Sequence, residues 1–180
     1  MCSSYGLHIV DATDPYVPYE ASNFYVNDGV EDVKTWQNYV YLVSPIYPLI
    51  YMPIIDISNI ANPQLAGSFP AFHNIFIDKK GYLYTQDGFY ISNQNQGLSI
   101  YDLNQDPANP VLIWNDPAIF FHDVAVIKDR MYLFQRQDST SIFDISDRSN
   151  PQFLGSIVDT TIKYHHSGWV SEDDKYLFIC

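Results

Sequence analysis

The feature of this 180-residue chain that most restricts its fold is an internal repeat of about 44 residues. Four segments share one pattern, in which an apolar strand ends at an Asp, a short turn of Ser, Asn, Asp and Pro follows, and a second apolar strand begins. These marker aspartates are Asp11, Asp56, Asp102 and Asp144, at spacings of 45, 46 and 42 residues. The regularity indicates a protein built from copies of one supersecondary unit.

A second pair of strands lies between these units, and it is also repeated. Each copy has an apolar strand, a polar turn and a strand rich in Tyr, Phe and Leu, in residues 31–43, 73–85, 122–134 and 166–178. The turns carry the polar and Gly residues that short β-hairpins need. Each period therefore contains four short strands, and no segment shows the 3.6-residue spacing of an amphipathic helix.

Four short strands per repeat predict an all-β fold, a β-propeller of four-stranded antiparallel blades. An immunoglobulin-like sandwich is the alternative, but its strands do not recur as near-copies. We expect one domain over residues 1–180, with about four blade equivalents. Three of them are complete and two are partial: 1–30 (partial), 31–72, 73–121, 122–165 and 166–180 (partial).

The two partial blades are predicted to contain complementary strands. If the strands of a blade are named A to D from the axis outwards, residues 1–30 supply C and D and residues 166–180 supply A and B. The partial blades would then complete one another in a closed ring, which removes two exposed sheet edges. A disulfide between Cys2 and Cys180 would replace the missing B–C turn. An arc cut from a larger ring is the alternative, because Cys180 lies within the last predicted strand.

Composition excludes several classes of protein. Hydrophobic residues make up 47% of the chain and aromatic residues 16%, which is too apolar for a disordered protein. The net charge is −12, and Lys and Arg are not clustered beyond Lys79 and Lys80, so nucleic acid is not an expected partner. No apolar run is long enough to predict a transmembrane segment, and the first residues do not have the pattern of a signal peptide.

The repeat motifs resemble those of the LVIVD-repeat β-propellers, and more closely those of the choice-of-anchor B family of bacterial proteins. The resemblance extends over nearly the whole chain, through LHIVDATDP, MPIIDIS, LSIYDLNQDPANP, TSIFDISDRSNP, HNIFID and HHSGWVSEDDKYLF. It implies a propeller located at the cell surface or secreted, with no established biochemical activity. The expected function is that of a non-catalytic binding module with a protein or a carbohydrate as its ligand.

The residues that open each predicted strand A form the main candidate site, because propeller symmetry places them around one end of the axial channel. They are Glu31, Asp32, His73, Asn74, His122, Asp123 and His166. The three histidines are candidate ligands of a divalent metal such as zinc, with Asp123 or Glu31 as a fourth ligand or a base.

Such a metal centre would make the chain a metal-dependent hydrolase or lyase, which is the alternative to a binding module. A purely structural repeat is a third interpretation. In that case the side chains that open strand A bond to neighbouring blades and fix their registry.

The marker aspartates offer oxygen ligands of the kind that calcium prefers. Calcium loops, however, concentrate several carboxylates and a Gly within about 12 residues, and that pattern is absent here. We therefore expect Asx-turns or ST-turns between strands C and D. The aromatic residues of strand B are expected to pack between blades.

Overall fold

The computed structural model describes residues 2–3, 6–26, 30–43, 51–70, 72–87, 97–136, 139–159 and 161–180, without the side chains of residues 2, 3, 51, 72, 73 and 87. The described residues form 17 strands and no helix. Alternating apolar residues and short polar turns produce strands of two to seven residues, and each sheet consists of strands that are consecutive in the chain.

Three sheets have four antiparallel strands each, and in each of them every strand pairs with the next one along the chain. The first contains β4 (Asp32–Trp36), β5 (Tyr39–Val43), β6 (Tyr51–Asp56) and β7 (Gln64–Pro70). The second contains β8 (Phe72–Ile77), β9 (Tyr82–Asp87), β10 (Gly97–Asp102) and β11 (Val111–Asp116). The third contains β12 (Asp123–Ile127), β13 (Arg130–Phe134), β14 (Thr140–Asp144) and β15 (Gln152–Ile157). The four-stranded antiparallel sheets predicted from the repeat are therefore confirmed.

The first strands of successive sheets lie side by side, with β8 between β4 and β12, and β16 next to β12. This is the arrangement of propeller blades, whose innermost strands surround an axis. The four hydrophobic clusters lie between successive sheets rather than within one sheet. Tyr41 and Tyr84 on strand B are fully buried there, as expected, whereas Tyr176 and Phe178 are 65% and 63% exposed.

The two partial blades do not complete one another in this structure. One contains β1 (Cys2–Ser3), β2 (Gly6–Asp11) and β3 (Tyr19–Tyr25), and the other contains β16 (Gly168–Val170) and β17 (Leu177–Ile179). Among the described residues no pairing joins β17 to β2, because β1 already pairs with the edge of β2 that β17 would need. The blades therefore form an arc rather than the closed ring. The predicted disulfide is untested, because the side chain of Cys2 lies outside the described residues, while Cys180 is exposed.

The turns between strands C and D are Asx-turns, as predicted. Each marker aspartate accepts a hydrogen bond at Oδ1 from the backbone N–H two residues further on, at 2.8, 2.7, 2.8 and 2.8 Å for Asp11, Asp56, Asp102 and Asp144. Hydrogen bonds from the hydroxyl and the backbone amide of Ser58 hold the pKa of Asp56 below its ordinary value of 3.8. These carboxylates are therefore engaged in holding the turns, and the Asp-rich composition follows from a turn repeated in every blade.

Candidate functional site

Two histidines and an aspartate meet where the inner strands β12 and β16 of two neighbouring blades begin. His122 immediately precedes β12 and Asp123 is its first residue, while His166 lies two residues before β16. Backbone hydrogen bonds fix both histidines: the N–H of His122 donates to Phe134 O at 2.6 Å, and the N–H of His166 donates to Cys180 O at 2.8 Å. Because these bonds continue the A–B pairing of each blade, the two imidazoles project from equivalent points of neighbouring blades.

The three side chains are close enough to share one ion. The Nδ1 of His122 lies 3.0 Å from Asp123 Oδ1, and the rings of His122 and His166 have centroids 4.2 Å apart. Each of the three residues offers one potential ligand atom, and these three atoms all lie within 4.8 Å of one another. The ring of Tyr164 lies 5.8 Å from both imidazoles. The His122 and Asp123 side chains are 10% and 18% exposed, and His166 is open to solvent.

Other residues of the predicted axial site have a different role. Asp32 bridges two blades, because its Oδ2 accepts hydrogen bonds from the Ile75 backbone at 3.3 Å and from Asn74 Nδ2 at 3.5 Å. Its Oδ1 lies 2.5 Å from the ammonium group of Lys34. The backbone N–H of Glu31 donates to Val43 O at 2.7 Å. The contacts of Asp32 and Asn74 are thus those expected of a purely structural repeat, in which the side chains that open strand A bond to neighbouring blades and fix their registry.

His73 lies in β8, but its side chain is outside the described residues, so the prediction of a third histidine in the cluster stays a prediction. Among the side chains that the structure describes, the one set of three His, Cys, Asp or Glu residues close enough for an ion is His122, Asp123 and His166. His165 is 1% exposed, and its Nδ1 lies 2.8 Å from Thr140 Oγ1. It therefore belongs to the core.

A groove of about 450 Å³ lies at the opposite end of the inner strands, roughly 13 Å along β12 from Asp123. Trp169, which is 58% exposed, forms one wall, and Phe76 lies beside it with the two ring centroids 6.2 Å apart. Among the described residues, the charged ends of Lys79 and Glu172 on the rim have no ion-pair or hydrogen-bond partner. The lining consists of inner-strand residues, A–B turns and Arg148 from a C–D turn; the inner-strand and A–B-turn residues are Phe76–Lys80, Val126–Lys128, Trp169–Glu172 and Asp174.

A buried ion pair supports the wall of this groove. Arg148, 5% exposed, donates from Nη2 to Asp78 Oδ2 at 2.9 Å and from Nη1 to Asp129 Oδ1 at 2.5 Å. Asp78 also accepts hydrogen bonds from the hydroxyl of Tyr84 at 3.0 Å and the backbone of Lys80 at 2.8 Å. Because Asp78 and Arg148 belong to neighbouring blades, this network joins the two blades beneath the groove.

Neither the groove nor the Arg148 network is predicted by the sequence pattern. One signal was available for the second feature. Arg148 occupies the point of its C–D turn at which the other three repeats have Pro15, Ile60 and Pro107. A single charged residue at a position that is otherwise apolar indicates a buried partner.

Comparison with known proteins connects this geometry to a repeat family. The model of the LVIVD repeat matches residues 29–70 and 122–160. Two segments of the chain therefore match this repeat. The matched segments contain the sheet β4–β7 and the sheet β12–β15, so the LVIVD unit corresponds to one four-stranded sheet. The comparison with curated proteins finds no matching sequence.

Solved structures similar to this chain are β-propeller proteins, which confirms the fold class. They include a candidate 6-phosphogluconolactonase from Bacteroides fragilis (TM-score 0.72, 10% identity, 98% of this chain and 58% of that one). Hsv2 from Kluyvelomyces marxianus has a TM-score of 0.69 at 13% identity, over 98% of this chain and 50% of that one. A functionally unknown protein from Desulfotomaculum acetoxidans has a TM-score of 0.61 at 12% identity, over 99% and 55%. The chain thus spans about half the length of these structures, and the likeness concerns the fold alone.

The closer resemblance to the choice-of-anchor B family is not tested by these comparisons and stays a prediction. In the part of the chain that the structure describes, no helix is long and apolar enough to cross a membrane.

Proposed function

We propose that residues 1–180 act as one non-catalytic binding domain of a secreted or cell-surface bacterial protein, and that the ligand is a carbohydrate bound in the groove beside Trp169. The observation that carries the proposal is the exposed aromatic wall of the groove. Trp169 is 58% exposed and lies against Phe76, in a groove that the charged residues Lys79 and Glu172 also line.

The chemistry of the groove matches that of a sugar. The rings of Trp169 and Phe76 offer apolar faces on which the C–H groups of a pyranose can stack. Lys79 supplies hydrogen-bond donors and Glu172 supplies acceptors, which suit hydroxyl groups. The rim also combines both signs of charge and the whole chain carries a net charge of −12, so a polyanion is a poorer match.

The scaffold holds these groups before a ligand arrives. Phe76 lies within β8 and Trp169 within β16, and the buried Arg148 and Asp78 pair fixes the turn beneath them. A preorganised wall reduces the conformational entropy lost on binding. The export of the protein and its non-catalytic role are supported by its resemblance to LVIVD-repeat surface proteins.

Tryptophan fluorescence tests the proposal. The chain should be titrated with a panel of neutral oligosaccharides, namely β-glucan, mannan and chitin fragments. We expect at least one of them to change the tryptophan emission of the wild type. Trp114→Phe, which alters a tryptophan on β11, is the control and should respond in the same way. The affinity of Trp169→Phe for that oligosaccharide should be at least about tenfold lower than the affinity of the wild type. If no oligosaccharide binds, or if Trp169→Phe binds as the wild type does, the proposal is wrong. Binding of peptides alone at this groove would identify a protein ligand instead.

A metal-dependent hydrolase or lyase is the second candidate function. His122, Asp123 and His166 favour it, because three protein ligands leave one coordination position for water in catalytic zinc sites. Zinc-dependent hydrolysis of nitrophenyl esters or phosphates, lost in His166→Ala, would support this candidate. Zinc binding without turnover of these substrates would leave the binding module as the better account.

A further inference from the structure

We propose that His122, Asp123 and His166 bind one divalent transition-metal ion, best matched by zinc, and that this ion links the last complete blade to the partial blade β16–β17. The inference goes beyond carbohydrate binding, because it concerns the opposite end of the inner strands. His122 and Asp123 belong to one blade and His166 belongs to the next. A single ion held by all three residues would therefore cross-link two blades at the axis.

The distances suit a tetrahedral ion after a small adjustment. Metal–ligand bonds of about 2.0–2.2 Å place the ligand atoms of a tetrahedral site about 3.4 Å apart. The Nδ1 atom of His122 lies 3.0 Å from the Oδ1 atom of Asp123, and the three potential ligand atoms lie within 4.8 Å of one another. His166 is exposed, so rotation of its side chain can close the remaining gap, which is at most about 1.4 Å.

The set of two imidazoles and one carboxylate also selects the kind of ion. Imidazole nitrogen suits zinc, copper and nickel, whereas calcium and magnesium take oxygen ligands almost exclusively. Of the two cations considered from the sequence, zinc therefore fits this cluster and calcium does not. The ring of Tyr164, which is 39% exposed, lies beside the cluster with its centroid 5.8 Å from those of both imidazoles.

A metal cross-link would act where the connection between the blades is weak. Among the described residues no strand pairing joins successive blades, and the partial blade has only the two strands β16 and β17 with which to pack against its neighbour. The partial blade is held by a small apolar cluster that includes Ala125 and Val170, and by the ion pair between Lys128 and Asp174. An ion bound across this junction would stabilise the folded state by its own binding free energy.

Calorimetric titration with ZnCl₂ tests the site, using the chain freed of metal by a chelator and carrying no polyhistidine tag. We expect one zinc ion per chain in the wild type. In His166→Ala the affinity should fall by more than about 100-fold, because loss of an outer partner of a metal ligand alone costs about 10–100-fold. His8→Ala is the matched control, since His8 forms another histidine–carboxylate pair, 2.7 Å from Glu20, on the far side of the arc.

Thermal unfolding provides a second measurement, which reports the link between the blades. Zinc should raise the melting temperature of the wild type and of His8→Ala, and should not raise that of His166→Ala. Asp123→Asn should bind zinc more weakly than the wild type. His166 is exposed, so its replacement is expected to leave the fold intact even if the Asp123 variant does not fold. Less than one zinc ion per wild-type chain, or equal affinity in wild type and His166→Ala, would overturn the proposal.

Discussion

Replacing Arg148 with Met should lower the free energy of unfolding by about 3 kcal/mol, because it leaves the carboxylate of Asp78 buried without its counter-ion. The two side chains are 5% and 4% exposed, and removing one partner of a buried ion pair typically costs about 3–5 kcal/mol. We expect the lower end of that range, because Asp78 keeps its hydrogen bonds from Tyr84 and from the backbone of Lys80 and Tyr82.

Urea unfolding followed by circular dichroism and by tryptophan fluorescence measures this loss, provided that the two transitions coincide. Lys175→Met is the matched control, because its ion pair with Asp173 is 71% and 51% exposed and should contribute less than about 1 kcal/mol. The double variant Arg148→Met with Asp78→Asn should recover part of the loss, since no buried charge remains. A loss below about 1 kcal/mol in Arg148→Met would refute the claim that this pair joins the blades.

Three further predictions concern contacts between blades and the Asx-turns. Gly67→Ala should destabilise the fold by about 1–3 kcal/mol in urea unfolding, because the added Cβ would lie 2.0 Å from a backbone oxygen of the next blade. Gly155→Ala, the equivalent position in the third complete blade, should cause no loss, since nothing lies within 4 Å of its Cβ. Tyr41→Phe should lower the free energy of unfolding by about 1 kcal/mol, because it removes the 2.7 Å hydrogen bond from the Tyr41 hydroxyl to the next blade. Tyr132→Phe, at the equivalent position of the third complete blade, should lower it less, and equal losses in the two variants would contradict this prediction. The pKa of Asp56 is lower in the folded protein than its ordinary value, so the hydrogen bonds of its carboxylate stabilise the fold above pH 4 and are lost as the pH falls through the lowered pKa. Between pH 6 and pH 2 the melting temperature of Asp56→Asn should therefore fall less steeply than that of the wild type.

The strands and the C–D turns could be predicted from the sequence because both depend on neighbours in the chain. Asp56 and Ser58 form their turn through a hydrogen bond that spans two residues, and the pattern recurs in every blade. The meeting of His122 and His166 was also predictable, because equivalent positions of adjacent repeats lie side by side at the propeller axis.

The features that could not be predicted depend on departures from the repeat. Asp78 and Arg148 are 70 residues apart and have no counterparts in the other blades. Trp169 aligns with Ala125 in the preceding repeat, so periodicity gives no reason to expect an exposed ring there. The repeat pattern left both a closed ring and an arc open. The pairing of Cys2 and Ser3 with the edge of β2, which favours the arc, has no counterpart in that pattern.

The central claim, that the groove beside Trp169 is the ligand site, is tested most directly by NMR mapping of the ¹⁵N-labelled chain with each oligosaccharide of the panel. The account predicts that a binding sugar shifts the indole N–H signal of Trp169 and the amide signals at the ends of β8, β12 and β16. Shifts confined to the outer strands β7, β11 and β15, or to the C–D turns, would contradict it.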